Sequence, residues 1–195
     1  MIIVSDSFVK KPLVSVRILT YNHEKYIAQT IESVLAQNCN FDIEIIIGED
    51  AGSDSTREIC IQYQQKYPEK IKLVLQDTNQ GIMLNYRDVT NLCRGKYVVG
   101  CGGDDYWHNP NKLQLQVDYM ESHPQCGVVH TDYDQLNSRT GKIIPYYWAL
   151  HKVHIPTGYV QQEIFKGSLK ICASTAFVRK ELYDKYIPID KYIEL

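Results

Sequence analysis

Apolar and polar positions along the first 124 residues alternate between two periods, that of a strand and that of a helix. Short apolar runs rich in β-branched residues predict four strands, at 13–19, 41–47, 71–75 and 97–101. Apolar residues at helical spacing follow each run and predict four helices, at 24–37, 57–67, 82–93 and 110–122. This repeated order of strand and helix predicts a parallel sheet with right-handed crossovers.

The pattern changes after Pro124. Strands are predicted at 127–136 and 143–150 around a turn, followed by a short helix at 158–165, a strand at 169–178 and a helix at 179–186. We therefore predict a single α/β domain over residues 1–195. It has a Rossmann-like, mostly parallel half at 1–124 and a smaller mixed half at 125–195.

The composition is that of a globular domain with a sizeable core, since 44% of the 195 residues are hydrophobic and 23% are charged. The net charge of −2 predicts no nucleic-acid partner. No apolar run approaches the roughly 20 residues that span a bilayer, so no transmembrane segment is predicted. The six cysteines include no C-x-x-C pair, and the first four residues are too short for a signal peptide. Both features favour the cytoplasm.

Two adjacent carboxylates, Asp104 and Asp105, follow the predicted strand at 97–101 after Gly102 and Gly103. Ligands in open α/β sheets bind beyond the carboxyl ends of the strands, where this pair lies. Two like charges side by side favour a cation, and Mg²⁺ or Mn²⁺ suits oxygen ligands that are shared with substrate phosphates. The alternative is a solvated Asp-Asp turn.

Polar residues follow two other strands of the predicted sheet, so all three sets can converge at one edge. Thr20, Tyr21 and Asn22 end the first strand, and Tyr21 offers a flat face on which a base could stack. Asn22 is also a candidate N-cap for the helix at 24–37. Asp50 ends the second strand and could accept a hydrogen bond from a base N–H or a ribose hydroxyl; the alternative is a cap on the helix that follows.

The chain has neither a G-x-G-x-x-G motif after the first strand nor a P-loop. A diphosphate bound at this edge would therefore need a metal to help hold it, and the Asp pair could supply one. Cys101, beside the pair, is interpreted as a small core residue rather than a nucleophile.

Taken together, these residues resemble the family 2 glycosyltransferases, which have the GT-A fold. The resemblance extends over essentially the whole chain and depends on the order and spacing of its short stretches. These are 14–22, 31–37, 49–56, 79–81, 94–97 and 103–107. It implies transfer of a sugar from a nucleoside-diphosphate sugar, with a UDP-sugar as the expected donor, to an acceptor hydroxyl with inversion of the anomeric centre. The acceptor would be a saccharide or a lipid-linked molecule in the synthesis of a surface polysaccharide or glycolipid.

The resemblance also implies roles for individual residues on the nucleotide side. Thr20, Tyr21 and Asn22 would form the nucleoside pocket, with Tyr21 against the base. Asp50 would accept a hydrogen bond from the base ring.

On the diphosphate side, Asp104 would bind the ribose or the sugar. Asp105 would coordinate the Mn²⁺ or Mg²⁺ that bridges the diphosphate. Residues 84–87 replace the Ala-Arg-Asn stretch of many members, so we assign no arginine role there.

The general base is expected at or beyond Leu195, because family spacing puts it after the match at 174–180. Asp190 and Glu194 are nearby carboxylates, but neither lies in a family motif. Residues 125–195 would thus be an acceptor-side half that stops before the base. Two alternatives stay open: a non-catalytic nucleotide-sugar-binding fragment, and a nucleotidyltransferase, although residues 20–25 lack the glycine-rich basic stretch of the latter. We expect a cytoplasmic protein, with the inner face of the membrane as an alternative site.

Overall fold

The computed structural model describes residues 2–4, 11–152, 158 and 171–186, and of residues 2–4 only the backbone. Nine strands lie in this part of the chain: β1 (Ile2–Val4), β2 (Val14–Thr20), β3 (Ile43–Glu49), β4 (Ile71–Leu75), β5 (Tyr97–Gly102), β6 (Val128–Val129), β7 (Gln135–Leu136), β8 (Ile143–Ile144) and β9 (Phe177–Arg179). Six helices accompany them there: α1 (Ile27–Leu35), α2 (Thr56–Lys66), α3 (Ile82–Asn91), α4 (Lys112–Ser122), α5 (Tyr147–Leu150) and α6 (Lys180–Tyr186).

Seven of these strands form one sheet in the order β1-β4-β3-β2-β5-β9-β6. The four neighbours β4, β3, β2 and β5 are parallel, whereas β1 and β9 pair antiparallel with their neighbours at either side. The prediction of an α/β fold with a mostly parallel central sheet is therefore confirmed. Because β9 pairs with β5, residues from both predicted halves contribute to this one sheet.

The register of the sheet decides where the site can lie. Thr20 is aligned with Glu49 across the β2–β3 pair, and Leu19 is aligned with Gly102 across the β2–β5 pair. The ends of β2, β3 and β5 therefore reach the same edge of the sheet. The expected convergence of the three polar sets at one edge is confirmed.

Helices cover both faces of the sheet. The larger core lies between the sheet and α1, α2 and α4, where Ile18, Ile31 and Leu113 are fully buried. The smaller core on the opposite face includes Ile46 and Val89, with Tyr183 of α6 packed against it. This two-sided burial explains the nearly continuous apolar runs of β3 and β5, since both faces of a parallel sheet are covered.

Two local predictions are wrong. Asn22 is not the N-cap of α1, because Tyr26 takes that position and the backbone N–H groups of Tyr26 and Ile27 both donate to the carbonyl of His23 at 2.9 Å. Of the strand predicted at 143–150, only β8 at its start is extended, and the chain then forms helix α5. Tyr146 has a left-handed φ of 47°, which interrupts an extended strand.

Other predicted elements of the second half are shorter or cannot be compared. The predicted strand at 127–136 is present only as β6 and β7. Of the strand predicted at 169–178, residues 169–170 lie outside the described residues, and within 171–178 only 177–178 are in a strand, β9. The predicted helix at 158–165 lies outside the described residues, apart from Gly158. Within the described part of the chain, no helix is both long enough and apolar enough to cross a bilayer.

Candidate functional site

The carboxylates of Asp104 and Asp105 converge over Gly102. A Cβ built on Gly102 would lie 3.0 Å from Asp104 Oδ1 and 3.0 Å from Asp105 Oδ2. The two carboxylates therefore occupy the space that a side chain at position 102 would fill. Asp104 is exposed, so this negative site opens to solvent.

The backbone of Asp105 is fixed from two sides. Its N–H donates to the carbonyl of Gly102 at 3.0 Å, which closes a tight turn after β5. Its carbonyl accepts a hydrogen bond of 2.6 Å from Thr30 Oγ1 on α1, and the same hydroxyl lies 3.1 Å from the carbonyl of Gly103. Helix α1 therefore holds the turn that carries the Asp pair.

These residues fit a divalent cation that is shared with a substrate. No group of three or more His, Cys, Asp or Glu side chains that could enclose a metal occurs among the described residues. Mg²⁺ is commonly held by one or two carboxylates and completes its coordination with substrate phosphates and water. A carboxylate of the Asp104–Asp105 turn matches that donor set, since the pair is exposed and converges over Gly102.

Cys101 precedes this turn, and its thiol donates a weak hydrogen bond of 3.7 Å to the carbonyl of Asp105. Burial raises the pKa of its thiol well above the ordinary value, and the charges of Asp105 and Asp104 act in the same direction. The raised pKa disfavours the thiolate, which is the form of cysteine that acts as a nucleophile or as a metal ligand. Its interpretation as a small core residue agrees with its exposure of 3%.

Thr20 lies beside the turn of the Asp pair. A Cβ on Gly103 would come within 2.5 Å of Thr20 Oγ1 and within 2.7 Å of His23 Nδ1, so the two loops approach as closely as a glycine allows. Thr20 is buried at the end of β2, and its hydroxyl lies 3.3 Å from His23 Nδ1.

Tyr21 and Asn22 follow Thr20 on the surface of the same loop. Tyr21 is 43% exposed and leaves a ring face accessible to a ligand. Asn22 adopts a left-handed φ of 55°, a conformation that asparagine tolerates better than most residues. Its Oδ1 accepts a hydrogen bond of 2.7 Å from the backbone N–H of Ser53, which joins this loop to the one after β3.

Asp50 is buried at the end of β3, and both of its carboxylate oxygens are hydrogen-bonded to one turn. Oδ1 accepts from the backbone N–H of Gln80 at 2.8 Å, and Oδ2 accepts from that of Gly81 at 2.9 Å. The alternative of a cap on the following helix is wrong, because Asp54 accepts the hydrogen bond from the N–H of Thr56 in α2. Each carboxylate oxygen keeps a second acceptor site, and Asp50 is 3% exposed.

Glu49, beside Asp50, has a structural role that the sequence did not reveal. It is fully buried and pairs with Arg57 through Oε2 at 2.6 Å, while Oε1 accepts from the N–H of Gly52 at 2.6 Å. Arg57 also donates to the carbonyl of Gln76 after β4. This network braces the loops after β3 and β4 on either side of Asp50.

The segment before β9, in the second half of the chain, contacts the Asp pair. Ser174 donates a hydrogen bond to Asp105 Oδ2, and Trp107 Nε1 donates to the carbonyl of Ser174 at 3.1 Å. Sequence reasoning used Ser174 only as part of a family match. No local signal indicates this contact, because 69 residues separate Ser174 from Asp105.

Two carboxylates of this half, Asp132 and Asp134, are already engaged. Asp132 accepts hydrogen bonds from the N–H groups of Tyr133, Trp148 and Ala149, at 2.8, 3.0 and 3.2 Å. Burial acts to raise the pKa of Asp132, but these three hydrogen bonds outweigh it and hold the pKa below its ordinary value. Asp134 accepts from the N–H of Tyr146 at 2.8 Å and lies 3.4 Å from the Nε2 of His108. Asp190 and Glu194 lie outside the described residues.

Comparison with known protein families gives a match over most of the chain. The model of the family described as glycosyl transferase family 2 matches residues 15–187. TuaG of Bacillus subtilis, named as a glycosyltransferase of teichuronic acid biosynthesis, is 30% identical over 171 residues, which is 88% of this chain and 64% of TuaG. An uncharacterized protein of Mycobacterium tuberculosis is 40% identical over 110 residues; these make up 56% of this chain and 32% of that protein.

Two solved structures share the fold. The mannosyltransferase PcManGT from Pyrobaculum calidifontis, in complex with GDP-Man and Mn²⁺, superposes with a TM-score of 0.64 at 17% identity. The match covers 91% of this chain and 47% of the PcManGT chain. TarS of S. aureus, residues 1–349 in complex with UDP-GlcNAc, superposes with a TM-score of 0.63 at 20% identity. The match covers 88% of this chain and 46% of the TarS chain. The GT-A expectation for the fold is confirmed by these neighbours.

Proposed function

We propose that this chain, which belongs to glycosyl transferase family 2, binds a nucleoside-diphosphate sugar and transfers the sugar to an acceptor hydroxyl with inversion. The observation that carries the proposal is the arrangement of three polar sets at one edge of the sheet, with Asp104 and Asp105 converging over Gly102. The two solved neighbours bind GDP-Man and UDP-GlcNAc, which supports a nucleotide sugar as the donor.

The nucleoside would bind between the loops that follow β2 and β3. Tyr21 has an exposed ring that could stack on the base, and Thr20 and Asn22 hold its loop in place. Asp50 would accept a hydrogen bond from the base ring. Because its carboxylate is already fixed by Gln80 and Gly81, no ordering of that side chain would be needed on binding.

The diphosphate would lie over Gly102, bridged to the protein by Mn²⁺ or Mg²⁺. Asp105 would coordinate the cation, and Asp104 would bind the ribose or sugar side. A bound divalent cation supplies charge stabilisation for the leaving diphosphate. Thr30 and Gly102 contribute by holding the Asp105 backbone in place through hydrogen bonds.

UDP is the nucleotide that we propose, and the acceptor would be a saccharide or lipid-linked molecule of a surface polysaccharide. The relationship to TuaG supports a polysaccharide pathway. Transfer also needs a general base within about 2.6–3.2 Å of the acceptor hydroxyl. We assign no base among the described residues; the carboxylates of Asp132 and Asp134 accept hydrogen bonds from backbone N–H groups of their own half.

A thermal-shift panel tests this proposal. UDP-, GDP- and CDP-sugars would each be added with and without Mn²⁺, because a ligand that binds only the native state raises the melting temperature by mass action. We expect one nucleotide series to raise the melting temperature, and to do so more strongly with Mn²⁺. No shift with any of the nucleotides, in the presence or absence of the metal, would overturn the proposal.

A further inference from the structure

The hydroxyl of Ser174 joins the end of β5 to the carboxylate of Asp105. Its oxygen accepts a hydrogen bond of 3.0 Å from the backbone N–H of Gly102, and its single O–H donates to Asp105 Oδ2. A hydroxyl has one donor hydrogen, so this arrangement fixes the direction in which it points. We propose that Ser174 is a positioning residue, which orients the Asp105 carboxylate for the divalent cation. The inference rests on the proposed function of this site.

The segment that carries Ser174 is itself rigidly placed. We call residues Cys172–Thr175 the Ser174 turn, since the N–H and Oγ1 of Thr175 both donate to the carbonyl of Cys172, at 3.0 and 2.8 Å. Trp107 Nε1 donates to the carbonyl of Ser174, and Gln116 Nε2 donates to that of Thr175, each at 3.1 Å. Both Trp107 and Gln116 are buried, so their positions are set by the core.

The Ser174 turn also packs closely on β5. A Cβ on Gly100 would lie 3.1 Å from the carbonyl oxygen of Ala173, which is tighter than most such contacts. Ser174 therefore approaches Asp105 from a surface that is fixed by hydrogen bonds on one side and by packing on the other. A donor held in this way costs little entropy when it holds a carboxylate in place.

The contact leaves one oxygen of Asp105 available. Oδ2 is bound by Ser174, whereas none of the residues that the structure describes donates a hydrogen bond to Oδ1. The Asp105 backbone is held by Thr30 and Gly102, so rotation of the side chain is the freedom that Ser174 removes. Ligating carboxylates are commonly oriented by hydrogen bonds of this kind, and losing such a partner typically costs about 10–100-fold in metal affinity.

Ser174→Ala and Ser174→Cys test the inference on the full 195-residue chain. Cysteine has nearly the shape of serine, but its thiol is a weak hydrogen-bond donor. The Ser174→Cys variant therefore tests the inference even if Ser174→Ala does not fold. Ser138→Ala, in the exposed turn between β7 and β8, is the matched control. Mn²⁺ affinity in the presence of UDP or GDP would be measured by electron paramagnetic resonance, and nucleotide affinity without metal by calorimetry.

We expect both Ser174 variants to bind Mn²⁺ about 10–100-fold more weakly than the wild type, with metal-free nucleotide affinity unchanged. Ser174→Thr, which keeps the hydroxyl, should restore the affinity. In an Asp105→Ala background, Ser174→Ala should have no further effect, because the two residues act as one unit.

Wild-type Mn²⁺ affinity in Ser174→Ala or Ser174→Cys would overturn the inference, as would an equal loss of metal-free nucleotide affinity. Failure of the proposed function would look different, because it would already be seen in the unmutated protein. That protein would then show no Mn²⁺-dependent binding of UDP or GDP, and the inference about Ser174 would be wrong as well.

Discussion

Asp50 Oδ2 accepts a hydrogen bond of 2.9 Å from the backbone N–H of Gly81, across 31 positions of the chain. The contact joins the end of β3 to the N-cap of α3, where Gly81 has a φ of 83°. One carboxylate thereby fixes the turn before α3, and it is the group that we propose as the acceptor for the base of a nucleotide.

Asp50→Asn should therefore lower both stability and nucleotide affinity. An amide keeps one acceptor oxygen but places an NH₂ group against a backbone N–H, and a mismatched buried pair of this kind costs about 1–3 kcal/mol. We expect a loss of that size in the free energy of unfolding, measured with urea, and a similar loss in metal-free nucleotide binding, measured by calorimetry. Asp118→Asn, an exposed carboxylate change on α4, is the control and should leave nucleotide affinity unchanged. An Asp50→Asn protein that loses stability but binds the nucleotide like the wild type would show that Asp50 serves the fold alone.

Gly102→Ala and Gly103→Ala should separate binding from stability. The Cβ at position 102 would displace two exposed carboxylate ends and break the contact of Asp105 with Ser174, so metal-dependent binding should fall while stability changes little. The Cβ at position 103 would lie 2.5 Å from Thr20 Oγ1 and 2.7 Å from Thr20 Cβ, which are buried. Overpacking of this kind typically costs about 1–3 kcal/mol. Urea unfolding and Mn²⁺-dependent calorimetry check both variants; equal stability losses at the two positions would contradict the account.

Arg57→Ala should destabilise the fold by about 3 kcal/mol, because it leaves the buried Glu49 carboxylate without its cation. Arg57→Ala combined with Glu49→Gln should recover part of the loss, since a neutral amide is less costly to bury. Lys96→Ala, which removes a surface partner of Glu121, is the control and should cost less than about 1 kcal/mol. Urea unfolding measures all three variants. Equal losses in Arg57→Ala and Lys96→Ala would show that the buried Arg57–Glu49 pair contributes no more to the free energy of unfolding than a surface pair does.

Lys112 should make stability depend on pH. Burial lowers the pKa of its amine from 10.5 to about 8, while the neighbouring thiols Cys101 and Cys172 act in the opposite direction. Its Nζ lies 4.7 Å from the centre of the Trp107 ring and donates to Gln116 Oε1. Between about pH 8 and 10.5 the unfolded chain binds more protons at this lysine than the folded one, so its contribution to stability rises with pH there.

Lys112→Met should thus be more stable than the wild type at pH 7, and this advantage should shrink by about 3 kcal/mol by pH 10.5. Urea unfolding of both proteins across this pH range tests the prediction. The other titrating groups are the same in both proteins, so their effect cancels in the difference between the two free energies of unfolding. A difference in stability that does not change with pH would contradict the lowered pKa.

Much of the fold could be predicted from the sequence because the period of its apolar residues is local information. The four runs that became β2, β3, β4 and β5 lie between helices, and the polar residues after three of them meet at one edge. Helix α5 was mistaken for a strand, because the left-handed Tyr146 and the inward turn of Trp148 depend on tertiary contacts with Asp134 and Tyr133.

The partners of the site residues could not be predicted in the same way. Asp50 was placed correctly at the sheet edge, but its bonds to Gln80 and Gly81 depend on how the β4–α3 turn folds back. The contact between Ser174 and Asp105 depends on β9 pairing beside β5, an antiparallel addition to a parallel sheet. Neither has a signature in residue spacing. The roles of these residues toward a ligand stay predictions.

The central claim is that the edge carrying Asp104 and Asp105 binds a nucleoside diphosphate through a divalent cation. Its most direct test is calorimetric titration of the nucleoside diphosphate chosen by the thermal-shift panel, with and without Mn²⁺, into the wild type and Asp105→Ala. Asp118→Ala, an exposed carboxylate change on α4, serves as the control. We predict that Mn²⁺ tightens binding to the wild type and to Asp118→Ala by about tenfold or more, and that Asp105→Ala folds normally and shows no such gain. A folded Asp105→Ala protein that keeps the full Mn²⁺-dependent gain would contradict the claim.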